Sequence, residues 1–574
     1  MNHFINKGAL LAATLPGMLL VGGCHNDNDN NQAPLLKSNV LAAQGGEFSD
    51  NAGAPGITVS IPPGALDDDA ELVIEKASGD NHGASDAFHV RLKSTNGGEA
   101  KLLAPIKVAL HSDTAPSHPQ LAEIAAGDSG KLERIPSFYR PDTQTVVALS
   151  TDPDNTYQVQ LRSLKAVTGD AVERGREVLM SETFGNESFF GGVLGLHTLL
   201  EKVDPVTAVS LGVQVDLTRT PQPIIDVMTG DDLAAKDAAL KDPATTLALL
   251  KADAVIGVRA RFDEAGNITS AGITCALCHV NAEPTEFELS SGPTKLPIGK
   301  PRFDGIPNAK MNAGAIIAAT PFVQGLDDGG ATAAALNAWG PGNFDIRALP
   351  DNVLDDGVDN PTNYPPIWNF VDLSEQGYTF GWDGLFKDNG NSNNALASQA
   401  EAVYDLVMHG NGAFGTAAGT LPPELSITPP QSLLDALAKA ETDQPGNDVT
   451  LDKLLDLQAF MRSITSPAPV GFDVASAERG FELFYGKANC SSCHSSPDLT
   501  GPGLFTAITE PKGGLSGGIH VPSLRGVAST APYFSNGSAA TLYDAVATIV
   551  EKIDQVPALT INEQNDLVEY LKSL

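Results

Sequence analysis

The sequence predicts a multidomain protein in which an all-β sandwich precedes two mainly α domains, the first of them with long loop insertions. Three observations support this prediction. A chain of 574 residues is too long for one ordinary hydrophobic core. Over residues 41–165, apolar residues alternate with polar or small ones, as in strands with one buried face. Helical spacing then takes over, and two Cys-x-x-Cys-His segments divide the rest into 166–466 and 467–574.

The first 24 residues are typical of a lipoprotein signal peptide. Lys7 precedes an apolar run, 9–21, that is too short to span a membrane as a mature helix. The run ends in Val21-Gly22-Gly23-Cys24, which resembles a bacterial lipobox, so we expect a lipidated Cys24. Ordinary cleavage that leaves Cys24 free is the alternative. Residues 25–40 would be a tether, and the exported protein would be held at the outer membrane, on its periplasmic or cell-surface face, by the lipid alone.

The charge balance argues against nucleic acid as a partner. The chain has 36 Lys and Arg against 70 Asp and Glu, a formal charge of -34, so phosphates would be repelled. An acidic surface keeps a protein soluble and attracts basic partners. A small redox protein or cytochrome that donates electrons is therefore a compatible partner.

Residues 41–165 read as short strands separated by turns. Ile57, Val59 and Ile61 show the alternation clearly, and Pro62-Pro63-Gly64 is one of the turn signals between such segments. Strands at this spacing predict a β-sandwich. The histidines of this region are scattered and indicate no metal site. We interpret the sandwich as a spacer or docking module between the membrane and the α domains.

Two segments carry the chemistry, Cys275-Ala276-Leu277-Cys278-His279 and Cys490-Ser491-Ser492-Cys493-His494. In each, two thiols can form thioether bonds to a haem, and the following histidine can ligate the iron from the proximal side. A bare Cys-x-x-Cys would also suit a redox dithiol or half a zinc site, but the trailing histidine in both copies favours haem. The sequence therefore predicts two covalently attached haem c groups, with His279 and His494 as iron ligands.

Helical patterns surround both segments. Helices are predicted at 172–179, 232–258 with a break at Pro243, 395–408, 432–441, 451–464, 477–484 and from Thr560 to the C-terminus. The Gly-, Pro- and Asn-rich stretch 282–394 is predicted as loops that wrap a haem edge. Terminal helices that pack on each other around a haem would make both α domains cytochrome c-like.

Several longer motifs resemble one family. Val521-Pro522-Ser523-Leu524-Arg525-Gly526-Val527, Thr530-Ala531-Pro532-Tyr533-Phe534-Ser535-Asn536-Gly537-Ser538 and Thr541-Leu542 resemble the second domain of bacterial dihaem cytochrome c peroxidases. Asn363-Tyr364-Pro365-Pro366-Ile367-Trp368-Asn369, Phe380-Gly381-Trp382-Asp383-Gly384 and Gln399-Ala400 resemble the first domain. This resemblance covers about 170–574. The superfamily also includes two further groups: enzymes that mature tryptophan-derived quinone cofactors, and the dihaem rubber oxygenases. With its long insertions, the first domain resembles the rubber oxygenases in size.

The resemblance implies catalytic roles for three residues. Trp382 matches a tryptophan that lies between the two haems and would help electron transfer, although it could equally be a core aromatic. Gln399 matches a residue of the distal pocket of the reactive haem. His409 falls near the family's distal glutamate, so it would be a sixth iron ligand or an acid/base for peroxide cleavage. A helix-terminal capping role for His409 is the alternative.

The resemblance also implies a calcium site, and the sequence departs from the family at one iron ligand. Asn363, with the carbonyl groups of Thr530 and Pro532, matches an interdomain calcium site. The methionine that ligates the family's second haem is replaced by Ile549. His520 is the nearest substitute ligand in the sequence, and a surface or propionate-contacting histidine is the alternative.

These residues predict a peroxidase-like oxidoreductase. The haem at His279 would react with peroxide or dioxygen, and the haem at His494 would pass electrons to it. A non-enzymatic dihaem electron carrier is the main alternative. Oxygenase chemistry on an organic substrate is a third possibility, suggested by the resemblance alone.

Overall fold

The computed structural model describes residues 34–345, 361–387 and 451–574, apart from gaps at 52, 54, 78–82, 128–130, 184–185, 381, 383–385, 470, 496, 506–518 and 554–555. Cys24, Gln399 and His409 lie outside the described residues, as do the predicted helices 395–408 and 432–441. None of the helices in the described part of the chain combines the length and the apolarity needed to cross a membrane.

The N-terminal region forms two antiparallel sheets, which confirms its predicted β character. One sheet has the strand order β1-β4-β5-β11-β7-β8 and the other β2-β3-β6-β10-β9. Residues of both sheets, Val59 and Leu72 among them, share one hydrophobic core. The strands are β1 (Leu36–Val40), β2 (Gly46–Ser49), β3 (Ile57–Ile61), β4 (Ala70–Ala77), β5 (Ala87–Ser94), β6 (Ile106–His111), β7 (Ala122–Gly127), β8 (Glu133–Ile135), β9 (Ser137–Arg140), β10 (Thr145–Ser150) and β11 (Asp154–Leu161).

The first strand begins within the segment predicted as a tether. β1 pairs antiparallel with β4, from Leu36 opposite Ile74 to Val40 opposite Ala70. Val40 is buried in the shared core. Between Leu36 and Val40 all residues are polar, so the sequence alternation is too weak to reveal a strand. The sandwich therefore begins at Leu36 rather than at residue 41.

The first α domain contains short helices and short strand pairs. Its helices are α1 (Asp170–Ser181), α2 (Leu196–Leu200), α3 (Pro205–Ser210), α4 (Gln222–Thr229), α5 (Leu233–Leu240), α6 (Pro243–Lys251), α7 (Ala276–His279), α8 (Ala313–Ala318), α9 (Pro321–Gln324), α10 (Ala331–Asn337), α11 (Phe370–Glu375) and α12 (Leu451–Met461). Its strands are β12 (Val215–Asp216), β13 (Val258–Phe262), β14 (Ile268–Ile273), β15 (Asn281–Ala282), β16 (Thr285–Leu289), β17 (Gly292–Leu296), β18 (Ile298–Gly299), β19 (Pro301–Arg302), β20 (Asn343–Phe344), β21 (Thr362–Asn363), β22 (Thr379–Phe380) and β23 (Phe386–Lys387).

The prediction of irregular loops over 282–394 is wrong for much of the described part. β16 and β17 pair antiparallel there, and α8, α9 and α10 follow. The helices have at most seven residues, about two turns, and the two strands have five each, so they leave little periodicity in the sequence. Pro243 opens α6 as the first helical residue, with Asp242 as its N-cap, which agrees with the predicted break.

The second α domain is formed by α13 (Val474–Tyr485), β24 (Gly501–Phe505), β25 (Ile519–Val521), α14 (Leu542–Lys552) and α15 (Ile561–Lys572). The capping box predicted from Thr560 and Glu563 is present at the start of α15. Phe481 and Tyr570 lie in the core of this domain. Phe138 of β9 completes that core, with its ring centroid 6.2 Å from that of Phe481. The sandwich is therefore packed directly on the second α domain.

Each of the two α domains contains a helix crossing of the same kind. In the first, α1 packs on α12, and a Cβ atom at Gly175 would lie 1.9 Å from the carbonyl oxygen of Asp456. In the second, α13 packs on α15, and a Cβ atom at Gly480 would lie 2.0 Å from the carbonyl oxygen of Asp566. Both helix pairs thus approach so closely that only glycine fits at the crossing.

An ion pair accompanies this crossing in both domains. Arg174 donates two hydrogen bonds of 2.7 Å to the carboxylate of Asp456. Arg479 donates two of 2.9 and 2.7 Å to the carboxylate of Asp566. The arginine and the glycine belong to a tripeptide, Glu-Arg-Gly, that occurs at the crossing in each domain, at 173–175 and at 478–480. Each first helix of the pair precedes a Cys-x-x-Cys-His segment, so the two domains have the same framework.

Candidate haem centres

The second Cys-x-x-Cys-His segment is held in a short 3-10 turn. Cys490 begins that turn, which a four-residue connection, 486–489, separates from the end of α13. The Nδ1–H of His494 donates a hydrogen bond of 3.0 Å to the carbonyl oxygen of Leu499. This bond fixes the tautomer and leaves the Nε2 lone pair for a metal. Burial lowers the pKa of His494 and raises the pKa of the Cys490 thiol to about 11, so the donor set suits a covalently attached haem.

The first Cys-x-x-Cys-His segment lies on the short helix α7. Burial raises the pKa of Cys275 to about 11 and of Cys278 to about 12, and lowers the pKa of His279 to about 4. The neutral imidazole is the form that ligates iron. The buried Nδ1 of His279 has no hydrogen-bond partner among the described residues. Neither this cysteine pair nor the one at 490 and 493 forms a disulfide, so all four thiols fit thioether attachment.

Trp382 connects the two α domains. Its Nε1–H donates a hydrogen bond of 2.7 Å to the carbonyl oxygen of Asn363 in β21. Its own carbonyl oxygen accepts a bond of 3.0 Å from the N–H of His520 in β25. The His520 ring is buried and lies 4.8 Å from the ring of Tyr378, centroid to centroid. The structure thus brings Trp382 and His520 together, while electron transfer through the first and iron ligation by the second stay predictions.

Two of the predicted calcium residues, Asn363 and Pro532, meet at the same domain boundary. The side-chain amide of the buried Asn363 donates to the carbonyl oxygen of Pro532, and its backbone N–H donates to the carbonyl oxygen of Ser535 at 2.7 Å. Thr530 lies two residues before Pro532 in the same loop. Carbonyl and amide oxygens are suitable calcium ligands. The ion itself stays a prediction.

The sequence does not predict the buried ion pairs that lie close to His494. The carboxylate of Asp498, next to Leu499, is 1% exposed and is bound by Arg162 and Arg525. Arg162 lies 336 positions before Asp498, so no local pattern could indicate this contact. The repeated Glu-Arg-Gly tripeptide was also overlooked, although a comparison of the two halves of the sequence could have found it.

An apolar cavity of about 100 Å³ lies beside the first centre without being part of it. Its walls come largely from α2 to α6, with Leu196 and Leu249 among them, and Ile298 of β18 also lines it. The side chain of Leu277 also lines it, whereas Cys275, Cys278 and His279 do not. Within the segment, Leu277 therefore faces the cavity, on another side from the groups that would hold a haem.

Comparisons with known proteins concern mainly the C-terminal part. Residues 477–574 match the family model for cytochrome c. The cytochrome-c peroxidase IdrP1 of Denitromonas iodatirespirans is 28% identical over 182 aligned positions, covering 21% of this chain and 48% of that protein. The chain thus spans about half the length of this curated relative.

Two solved structures show a weaker likeness. A MauG-like protein associated with microbial copper homeostasis is 21% identical and has a TM-score of 0.24, over 37% of this chain and 73% of that chain. Kuenenia stuttgartiensis hydrazine synthase is 19% identical with a TM-score of 0.20, over 27% and 66% of the respective chains. These scores are too low to support a conclusion about function.

Proposed function

We propose that this chain is a member of the bacterial dihaem cytochrome c peroxidase superfamily and a periplasmic-side oxidoreductase of the peroxidase type; the cytochrome c match over 477–574 and the similarity to a cytochrome-c peroxidase support this. The haem held by Cys275, Cys278 and His279 would be the reactive one. The haem held by Cys490, Cys493 and His494 would supply it with electrons. The similarity to a cytochrome-c peroxidase supports peroxide as the substrate, with dioxygen as the other candidate.

One observation carries the proposal. The glycine crossing and its arginine–aspartate pair occur in both α domains, and a Cys-x-x-Cys-His segment follows the first helix in each. The cytochrome c family model matches only the second domain. The shared framework supports the same cofactor in the first.

Different residues of the chain would have different roles in this function. A bound haem c supplies one-electron transfer and activation of an O–O bond. His279 and His494 orient the two cofactors, and Trp382 bridges the domains by hydrogen bonds to Asn363 and to the residue 520 N–H. His409 and Gln399 are proposed to donate to or polarise the bound peroxide on the distal side.

The remaining assignments complete the proposal. His520 would be a sixth ligand of the second haem, since Ile549 cannot take that role. A calcium ion would bind Asn363 and the Thr530 and Pro532 carbonyl groups at the domain boundary. A small redox protein or cytochrome would donate electrons. A lipid on Cys24 would hold the protein at the outer membrane.

The test is to mix the reduced, haem-loaded protein with hydrogen peroxide and follow the Soret band and the oxidation of an electron donor. We expect rapid oxidation of both haems. Trp382→Phe should slow oxidation of the second haem severalfold while leaving haem content unchanged. Trp339→Phe, in a buried tryptophan that packs on Phe344, is the matched control and should behave as wild type.

Electron paramagnetic resonance of the oxidised protein, with and without peroxide, identifies which iron reacts. A high-spin or weakly ligated iron that changes with peroxide supports the proposal. Two low-spin irons that ignore peroxide, cyanide and carbon monoxide would refute it in favour of a non-enzymatic electron carrier.

A further inference from the structure

We propose that the N-terminal sandwich positions the proximal ligand of the second haem, and that Arg162 is the positioning residue. The inference rests on the proposed haem at Cys490 and Cys493, but not on any catalytic role for that haem. It gives the sandwich a function beyond that of a spacer.

Arg162 belongs structurally to the sandwich. It directly follows β11, and its backbone N–H donates a hydrogen bond of 2.7 Å to the carbonyl oxygen of Leu121. Its side chain is only 8% exposed. The guanidinium group is therefore held in place by the sheet and reaches out of it in a fixed direction.

The target of Arg162 is the loop that follows His494. One guanidinium nitrogen, Nη2, lies 2.7 and 2.9 Å from the two carboxylate oxygens of Asp498. The other, Nη1, donates to the carbonyl oxygen of Pro497 at 3.1 Å. A planar guanidinium can make both contacts at once, which the single ammonium group of a lysine cannot reproduce.

Asp498 is the centre of a buried group of charges, here called the Asp498 cluster and comprising Asp498, Arg162, Arg525 and Asp372. The Nε of Arg525 donates to the carboxylate of Asp498 at 3.1 Å. The Nη2 of Arg162 lies 3.5 Å from the Oδ1 of Asp372 on α11. The two arginines compensate the two aspartates, as buried charges require, and the buried carboxylate of Glu123 lies near both arginines as well. The cluster joins the sandwich, the first α domain and the second α domain.

The cluster fixes the backbone that orients His494. Besides its side-chain contacts, Asp498 accepts a hydrogen bond of 2.7 Å at its carbonyl oxygen from the hydroxyl of Ser523. The next residue, Leu499, has φ of 54°, a left-handed conformation that leucine adopts only when its surroundings impose it. In that conformation its carbonyl oxygen accepts the Nδ1–H bond of His494.

This hydrogen bond affects the metal ligand. A carbonyl acceptor at Nδ1 fixes the plane of the imidazole and makes Nε2 a stronger electron donor, which favours oxidised iron. Loosening Asp498 would let Leu499 relax and would weaken the bond. The midpoint potential of the second haem should then rise.

The decisive variant is Arg162→Lys, because it keeps the positive charge and removes the bidentate contact. In the haem-loaded full chain we expect one of the two midpoint potentials to rise and the other to stay unchanged, by spectroelectrochemical titration. The low-spin g values of the same haem should change with it. Arg162→Gln should shift that potential by a different amount, because it also removes a charge.

Arg140→Lys is the matched control. Arg140 also connects the sandwich to the second domain, through two 2.6 Å bonds to Glu478, but it does not belong to the Asp498 cluster. Unchanged potentials in Arg162→Lys, or an equal shift in Arg140→Lys, would overturn the inference. Peptide mass spectrometry tests the proposed haem separately: absence of haem from the peptide with Cys490 and Cys493 would overturn the inference and the proposed second haem together.

Discussion

At the scale of single residues, Glu478 links the sandwich to the second α domain. Its carboxylate accepts two bonds of 2.6 Å from Arg140 and one of 2.9 Å from Lys107, and its side chain is 12% exposed. Burial alone would raise the pKa of Glu478. The hydrogen bonds from the two cations and their charges outweigh burial, so the pKa is lowered. The charged form is therefore the one that stabilises the contact.

We predict that Glu478→Gln destabilises the protein by about 2 kcal/mol at neutral pH, because it removes hydrogen bonds to charged groups. The folded-state pKa lies below the ordinary value of 4.5, so this stability is fully present above about pH 4.5 and is lost as the pH falls through the folded-state pKa. Urea unfolding of variant and wild type at pH 7 and at decreasing pH should show the difference shrink in acid.

Glu482→Gln is the control for this prediction. Glu482 lies one turn further along α13 and pairs with Lys107, with a side chain that is 38% exposed. Its loss should have a small effect. A pH-independent cost of Glu478→Gln would contradict the assigned role.

Candidate residues for haem attachment can be proposed from sequence because their chemistry is local in sequence. Cys490, Cys493 and His494 lie within five positions, and the structure gives the imidazole a backbone acceptor. The partners that orient them could not be predicted. Arg162 and Asp498 are 336 positions apart, and a lone charged residue in a sequence does not reveal which buried charge it neutralises.

At the scale of secondary structure, the crossing of α13 and α15 depends on Gly480. Helix propensity alone would make Gly480→Ala stabilising by about 1 kcal/mol. A Cβ atom would, however, lie 2.0 Å from the carbonyl oxygen of Asp566, and backbone cannot rotate away as a side chain can. We therefore predict destabilisation by about 3 kcal/mol, measured by thermal unfolding followed by circular dichroism.

Gly175→Ala should have a similar effect in the first α domain, where the corresponding distance is 1.9 Å. Ile561→Ala, at a position of α15 that is 67% exposed, should change stability by less than about 0.5 kcal/mol. A gain in stability for Gly480→Ala would show that the helices are further apart than described.

A helix whose N-terminus carries a clear capping motif could be predicted from the sequence. The capping box from Thr560 to Glu563 confirms the start of α15. A second capping box, Thr541 with Asp544 at the start of α14, was missed because the aspartate is a less common partner than glutamate or glutamine. The short helices and hairpins within 282–345 were missed because they are too short to show a period.

At the scale of the whole molecule, the sandwich and the second α domain share part of a core, because Phe138 of β9 belongs to the core of the second α domain. The ring of Phe138 lies 6.2 Å from that of Phe481 and 6.4 Å from that of Tyr570, centroid to centroid. We predict that the two regions unfold in one calorimetric transition. Phe138→Ala should cost about 3 kcal/mol and should separate that transition into two.

Phe48→Ala is the comparison for this experiment, because Phe48 packs within the sandwich core. It should lower the transition temperature without separating the transitions. Independent melting of the two regions in the wild type would contradict the shared core.

Residues 477–574 match the cytochrome c family model, and they lie within the predicted second α domain. The β character of the N-terminal region could be predicted from sequence, and the two sheets confirm it. The arrangement of the domains could not. It depends on contacts such as Phe138 with Phe481, in which each residue reads as an ordinary core aromatic of its own domain.

The apolar cavity behind Leu277 has a mechanical consequence. Hydrostatic pressure favours whichever state occupies less volume, and unfolding eliminates internal voids. A void of about 100 Å³ per molecule corresponds to roughly 60 mL per mole, comparable to the whole volume change of unfolding for many proteins. We therefore expect compression to act on the walls of this cavity, which the helices α2 to α6 of the first α domain largely form.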